Sequence, residues 1–217
     1  MISAMQREFV LVHGMSHGGW AWDEIARRLE RDGHRVIAPD LPGHGRRAGE
    51  RGRASIAAYA RAVADATIQA GFSRPVVVGH SMGGVVIAKV AELIPARVAH
   101  LVFVAAVVLP DGGSLLATHL PPASGAVFRG LARSGDGAVQ YPAQMECSRW
   151  FNDLPPGDVR VTDALTRITR QPVRPWRERV WTCAASMPCG CRRRMPAACA
   201  TWRYRLGGRR STRPAWG

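Results

Sequence analysis

The stretch Pro75-Val76-Val77-Val78-Gly79-His80-Ser81-Met82-Gly83-Gly84-Val85-Val86-Ile87 decides how the chain folds. Three β-branched residues run into Gly-His-Ser-Met-Gly, and a second apolar run follows at once. The pattern G-x-S-x-G is that of a nucleophile elbow, a sharp turn from strand to helix with a serine at its apex. Such a turn forces the serine into a strained backbone region, where side chains two residues before or after would collide. Gly79 and Gly83 stand at those two positions. The bare pattern is common, and its setting makes it specific: a strand-like run precedes it and Val85-Val86-Ile87-Ala88-Lys89-Val90 follows. Ser81 is the candidate nucleophile, set against the alternative of a glycine-rich helix start.

Upstream, Glu8-Phe9-Val10-Leu11-Val12-His13 reads as a short buried strand ending in Gly14-Met15-Ser16-His17-Gly18-Gly19. Glycines there let the backbone turn and bring its N–H groups close to a ligand. A helix is expected next, with Trp22, Ile25, Ala26 and Leu29 on its apolar face and Asp32-Gly33 closing it. Val36-Ile37-Ala38 forms the second strand, and Pro39-Asp40-Leu41-Pro42-Gly43-His44-Gly45 the loop after it. Ser55 suits the cap of a helix whose Ile56, Tyr59, Val63 and Ala70 share a stripe. Beyond the elbow a buried helix stops at Pro95, and residues 98–109 read as one long apolar strand. This alternation is that of a mostly parallel sheet with helices on both faces, an α/β fold. Ligands bind such sheets beyond the carboxyl ends of the strands, where Met15, Ser81 and Asp111 all fall.

The 217 residues suit one globular domain with a small inserted cap. No apolar run opens the chain, and none approaches the length of a membrane span. A soluble cytoplasmic protein, neither secreted nor membrane-bound, is the expectation, and composition sets no oligomeric state. The net charge of +14 invites a nucleic-acid reading, but eleven arginines against the single acid Glu178 fall after Val173. The basicity belongs to that tail, so no specific nucleic-acid partner is expected. Residues 114–171 are punctuated by Pro, Gly and Ser and read as a cap with helices near residues 126–133 and 158–170.

Phe9-Val10-Leu11-Val12-His13-Gly14-Met15-Ser16-His17-Gly18-Gly19-Trp20 resembles the opening of the α/β-hydrolases related to plant methylesterases and hydroxynitrile lyases. So do the run from Val36 through Pro42-Gly43-His44-Gly45 and the elbow Gly79-His80-Ser81-Met82-Gly83-Gly84. In the cap, Trp150-Phe151-Asn152-Asp153 and Gln171-Pro172 are similar to that family's cap helices. The resemblance covers residues 8–172. It implies an α/β-hydrolase sheet lacking its first edge strands, a helical cap, and cleavage of small esters without a cofactor. Ser81 Oγ would attack the ester carbonyl, and the backbone N–H groups of Met15 and Met82 would form the oxyanion hole. Gly14, His17 and His80 would line the pocket. Gly14 stands where the lyase members carry a hydroxyl residue, which favours the esterase. His17 has an alternative role as a histidine bonded to loop backbone.

A serine hydroxyl needs a histidine to take its proton, and that histidine needs a carboxylate to fix its tautomer. In this superfamily both follow the serine in the chain. The seven histidines are His13, His17, His34, His44, His80, His100 and His119, and the last aspartate is Asp163. Base and acid are missing from their expected places. His13 and His44 suit structural roles in the turns, His80 points away from its neighbour Ser81, and His119 would have to reach down from the cap. Asp111 matches an acid position used elsewhere in the superfamily, with no histidine to orient.

The tail has a different composition: Arg, Ala, Pro, Gly, Cys and Trp make up 33 of its last 44 residues. These residues have GC-rich codons, and 29 arginines against the single Lys89 indicate GC-rich coding throughout. A frameshift between about Gln171 and Cys183, which removes the last strands with the acid and the histidine, accounts for the mixture. Cys183, Cys189, Cys191 and Cys199 lack the paired C-x-x-C steps of zinc sites, so no metal is expected. Arg192-Arg193-Arg194 and Arg209-Arg210 would hold polyanions without sequence preference. The expected organisation is a core over residues 1–110, a cap over 111–172 and an atypical tail over 173–217. Loss of the last strands would leave residues 98–109 as an apolar sheet edge prone to aggregation. Two functions follow: hydrolysis of a small-molecule ester through Ser81, or non-catalytic binding of a small molecule.

Overall fold

The computed structural model describes residues 5–133, 138–155 and 157–180. Four parallel strands, β1 (Glu8–Val12), β2 (Arg35–Ile37), β3 (Val76–His80) and β4 (His100–Val104), form one sheet in the order β2-β1-β3-β4. The register pairs Phe9 with Val36 and Val76, and Val77 with Leu101. Helices α1 (Asp23–Arg31), α2 (Ile56–Gln69) and α3 (Gly83–Leu93) connect them.

Alternate side chains of a strand point to opposite faces, and both faces of this sheet are apolar. Val10, Val12 and Val77 pack with Ile56, Tyr59 and Val63 of α2 and Val86, Ile87 and Val90 of α3. Leu11, Val76 and Val78 point the other way, against Trp22 and the Ala26 and Leu29 side of α1. Each such aliphatic side chain taken from water contributes roughly 1.5–3 kcal/mol. The expected α/β architecture with helices on both faces is the one observed. Ile25, expected on the apolar face of α1, is instead 44% exposed. Ser55 caps α2 as expected, its Oγ accepting from the Ala58 N–H at 3.0 Å.

The long apolar strand expected over residues 98–109 is only five residues long. At Ala105 the backbone turns to φ +42° and leaves the sheet. Val107 then donates its N–H to the Ser81 carbonyl at 2.8 Å, so this segment buttresses the elbow instead of extending β4. Among the described residues β4 is the sheet edge. Val102 and Val104 on its uncovered face are 40% and 41% exposed.

The inserted segment carries α4 (Pro122–Arg133), β5 (Ala138–Val139), α5 (Ala143–Trp150), α6 (Val159–Arg167) and β6 (Gln171–Pro172), with β5 and β6 antiparallel. The sequence pattern anticipated α4 and α6 but not α5. Of the expected tail, residues 173–180 are described. Val173 and Trp176, the latter on α7 (Arg174–Arg177), are buried in the main core. Trp176 stacks on Phe128 of α4 at 4.8 Å, and Glu178 accepts from the Ile56 N–H at the start of α2 at 2.9 Å. Val180 bridges Gly113. The four cysteines and two arginine clusters of residues 181–217 lie outside the described residues.

Candidate active site

Ser81 sits where β3 hands over to α3, with φ +51°, a conformation that a side-chain-bearing residue holds only under constraint. The constraint is visible in its neighbours. Its carbonyl accepts from the N–H groups of Gly84 at 3.0 Å and Val107 at 2.8 Å, and its own N–H points to the Val104 carbonyl at 3.4 Å. A Cβ at Gly79 would lie 2.6 Å from the Gly83 carbonyl oxygen, and one at Gly83 would lie 2.6 Å from the Val12 carbonyl oxygen. One glycine lets the turn close on itself; the other lets α3 seat against β1.

The loop after β1 meets this turn. A Cβ at Gly14 would fall 3.0 Å from Ser81 Cβ and 3.1 Å from His80 Nδ1, so the three residues converge on one point. Met15 and Met82 flank it, both buried. Neither of their amides donates to a backbone acceptor among the described residues. His80 sets its ring edge-on to Trp22 at 6.3 Å. Burial, and secondarily the nearby His17, pushes its pKa down. His17 donates from Nδ1 to the Met15 carbonyl at 2.5 Å and stacks on Trp20 at 5.2 Å, with burial lowering its pKa. These are the loop contacts of its alternative role.

The remaining histidines of the site are structural. His13 is wholly buried: Nε2 accepts from the Leu41 N–H at 3.1 Å, so Nδ1–H donates to the Gly14 carbonyl at 2.8 Å. Burial, reinforced by neighbouring His44, pushes its pKa down to about 3. His44, also fully buried, contacts Gln171 Oε1 through Nε2 at 2.9 Å and the Pro42 carbonyl through Nδ1 at 3.3 Å. The shorter contact assigns its proton to Nε2, and burial lowers its pKa. Asp40 ties the two loops together, accepting from the Gly19 N–H at 2.7 Å and from the Arg46 N–H and Nε at 3.1 and 3.0 Å. Burial works to raise its pKa, but these donors outweigh it and hold the carboxyl below its ordinary value.

Among the described residues no side chain hydrogen-bonds Ser81 Oγ. Asp111 stands exposed on the loop after β4. The His119 side chain lies outside the described residues. No cluster of three metal-binding side chains occurs among the described residues. A cavity of about 420 Å³ beside Val173 and Arg177 and one of about 340 Å³ beside Asp40, Arg46 and Asp65 include none of Gly14, Met15, His17, His80, Ser81 and Met82 in their linings. Sequence reasoning missed Gln171, whose Oε1 accepts from the Ser16 N–H at 3.1 Å across 155 residues of chain. Only the Gln171-Pro172 similarity to cap helices drew attention to it, and no local periodicity announces such a contact.

Comparison with known proteins places this geometry. The chain is 39% identical over 126 residues to a carbendazim hydrolyzing esterase of Nocardioides sp., covering 56% of this chain and 52% of that one. It is 39% identical over 110 residues to putative methylesterase 11, chloroplastic, of Arabidopsis thaliana, covering 50% and 28%. The chain thus spans about half the length of the first relative and less of the second. Among solved structures, an extracellular alpha/beta-hydrolase from a Paenibacillus species, sharing homology with tobacco salicylic acid binding protein 2, superposes with a TM-score of 0.74 at 27% identity. That match covers 81% of this chain and 71% of the other. The expected resemblance to plant methylesterases and related esterases is thereby borne out. No helix among the described residues is long and apolar enough to cross a membrane. The sequence profile of the alpha/beta hydrolase family matches residues 9–215, nearly the whole chain, and the protein belongs to that family.

Proposed function

We propose that the chain carries a serine-nucleophile site for small carboxylic esters, inherited from its family and disarmed by loss of the histidine and acid. The observation that carries this reading is Ser81 held at φ +51° between β3 and α3. In the reaction Ser81 Oγ attacks the ester carbonyl, and the Met15 and Met82 amides stabilise the resulting oxyanion. Their lack of any other backbone acceptor among the described residues supports that role. The tight approach of Gly14 to Ser81 Cβ and His80 Nδ1 favours the esterase over the lyase, since a hydroxyl-bearing residue there would have to displace both. Gly14, His17 and His80 line the pocket, no cofactor takes part, and the setting is the cytoplasm.

Without a base, turnover is held several orders of magnitude below that of a complete triad. The loss is attributed to a frameshift between about Gln171 and Cys183, and the packing of Val173 and Trp176 and the Val180 bridge favour a position late in that interval. Reading the downstream DNA in the alternative frame should reveal an aspartate and a late histidine. A frame encoding neither would refute it.

The second reading, a non-catalytic small-molecule binder, is favoured by the absence of any hydrogen bond to Ser81 Oγ among the described residues. Hydrolysis of a short-chain aryl ester by the wild type and Ser81→Ala separates the two. Slow turnover abolished by Ser81→Ala supports the disarmed hydrolase, and identical background rates support the binder. Rapid Ser81-dependent turnover would show that the site is fully armed and the disarmed reading wrong.

A further inference from the structure

The loop of residues 14–17 makes a left-handed turn at Ser16, φ +60°, which no glycine eases. Such a residue persists only where its surroundings over-determine it, and here both of its backbone groups are held from one distant segment. The Ser16 N–H donates to Gln171 Oε1 at 3.1 Å. The Ser16 carbonyl accepts from the Thr169 N–H at 2.8 Å and Thr169 Oγ1 at 3.2 Å. Gln171 has no exposed surface. Its Oε1 also accepts from His44 Nε2 at 2.9 Å, and its own Nε2–H donates to the Pro172 carbonyl at 2.9 Å. The Tyr59 ring packs edge-on against His44 at 5.6 Å and closes the site. The exit of the cap thus grips the residue next to Met15 by both of its hydrogen-bonding groups.

We propose that Thr169 and Gln171 are positioning residues, a clamp that fixes the turn at Ser16 so that the Met15 amide is aimed at Ser81. This deepens the hydrolase reading and rests on it. Gln171 reaches no reacting atom. It acts through Ser16, and a clamp built from the end of the cap couples the cap's placement to the oxyanion donor.

The test uses the full chain and an alkyl fluorophosphonate: Ser81 Oγ bonds to phosphorus, fluoride leaves, and the Oγ proton passes to the buffer. Adduct formation at Ser81 is followed by mass spectrometry in the wild type, Gln171→Leu and Gln171→Glu. The leucine removes the acceptor, whereas the carboxylate retains it. Gln171→Leu should lower the maximal labelling rate constant by about 10- to 100-fold, as for a misplaced oxyanion donor, with the half-saturating reagent concentration changed less than about threefold. Gln171→Glu should recover most of the rate. A merely structural role would lower the fraction of chains labelled and leave the rate constant of the folded fraction unchanged, which would overturn the clamp.

Amide hydrogen exchange at Ser16 gives an independent readout, slow in the wild type and in Gln171→Glu and fast in Gln171→Leu. Thr169→Val, which deletes one of the three contacts, gives a milder form of the same change should Gln171→Leu fail to fold. Unchanged Ser16 exchange in the variants would also refute the clamp. A wild type that forms no Ser81 adduct but shows the expected exchange pattern would instead sink the hydrolase reading, and with it the catalytic purpose of the clamp.

Discussion

Lowering the pH from 7 to 5 should destabilise this protein, with His13 carrying about 2 kcal/mol of the change. His13 has no exposed surface, and its pKa is pushed down from 6.5 to about 3 in the fold. Its neutral ring is the form that can accept from Leu41 and donate to Gly14. Between those two values the unfolded chain binds a proton that the folded chain refuses, so stability rises with pH. At pH 7 the unfolded histidine is mostly neutral. At pH 5 it is almost fully charged, and about 1.4 units of protonation free energy at ~1.4 kcal/mol each favour the unfolded state. His44, His17 and His80, all lowered by burial, act in the same direction. Glu146, raised chiefly by burial, opposes them as its carboxyl protonates. Asp40, whose carboxyl is depressed, loses its contribution only as pH falls below its ordinary value of 3.8. Comparison with a variant isolates the His13 share. In His13→Gln the side-chain oxygen can accept from the Leu41 N–H without titrating. Urea unfolding followed by tryptophan fluorescence should show the wild type losing about 2 kcal/mol more than the variant between pH 7 and 5. Equal losses in the two proteins would refute this account of the buried histidine.

Ser55→Ala removes the oxygen that accepts from Ala58 at the start of α2. It should lower stability by about 1 kcal/mol in the same unfolding assay. The Val102 and Val104 face of the edge strand β4 is open among the described residues, a liability that charged side chains correct. The double variant Val102→Lys, Val104→Lys should raise the soluble fraction on expression and remove large aggregates in light scattering. An unchanged soluble fraction, or a wild type that is already a soluble monomer melting cooperatively, would show that this face is not the cause of aggregation.

The sheet, its order of connection and the sharp turn that carries Ser81 were legible because each rests on short-range pattern. Val76-Val77-Val78 must be extended and buried, Gly79 and Gly83 must lack side chains where backbones come within 2.6 Å of their Cβ positions, and Ser81 must then stand at the apex. Gly14 and Met15 were legible through their place after the first strand. Residues 98–109 were misread because apolar composition cannot say where a strand leaves its sheet. Ala105 turns at φ +42° to let Val107 support the Ser81 carbonyl. Residues 174–177 show the same limit of local pattern. Arg174-Pro175-Trp176-Arg177 has no apolar stripe of its own, yet Trp176 is buried by stacking on Phe128 from a helix more than forty residues earlier.

By itself the chain of residues determined an α/β sheet and a serine at a strained bend, since both are properties of local order. Only the tertiary structure decided that His13 and His44 are buried supports, and that Gln171 grips the Ser16 turn. The physical reason is that a hydrogen bond joins groups brought together by packing. A buried polar side chain takes whatever partner the fold delivers, and no spacing along the chain records a contact that spans 155 residues.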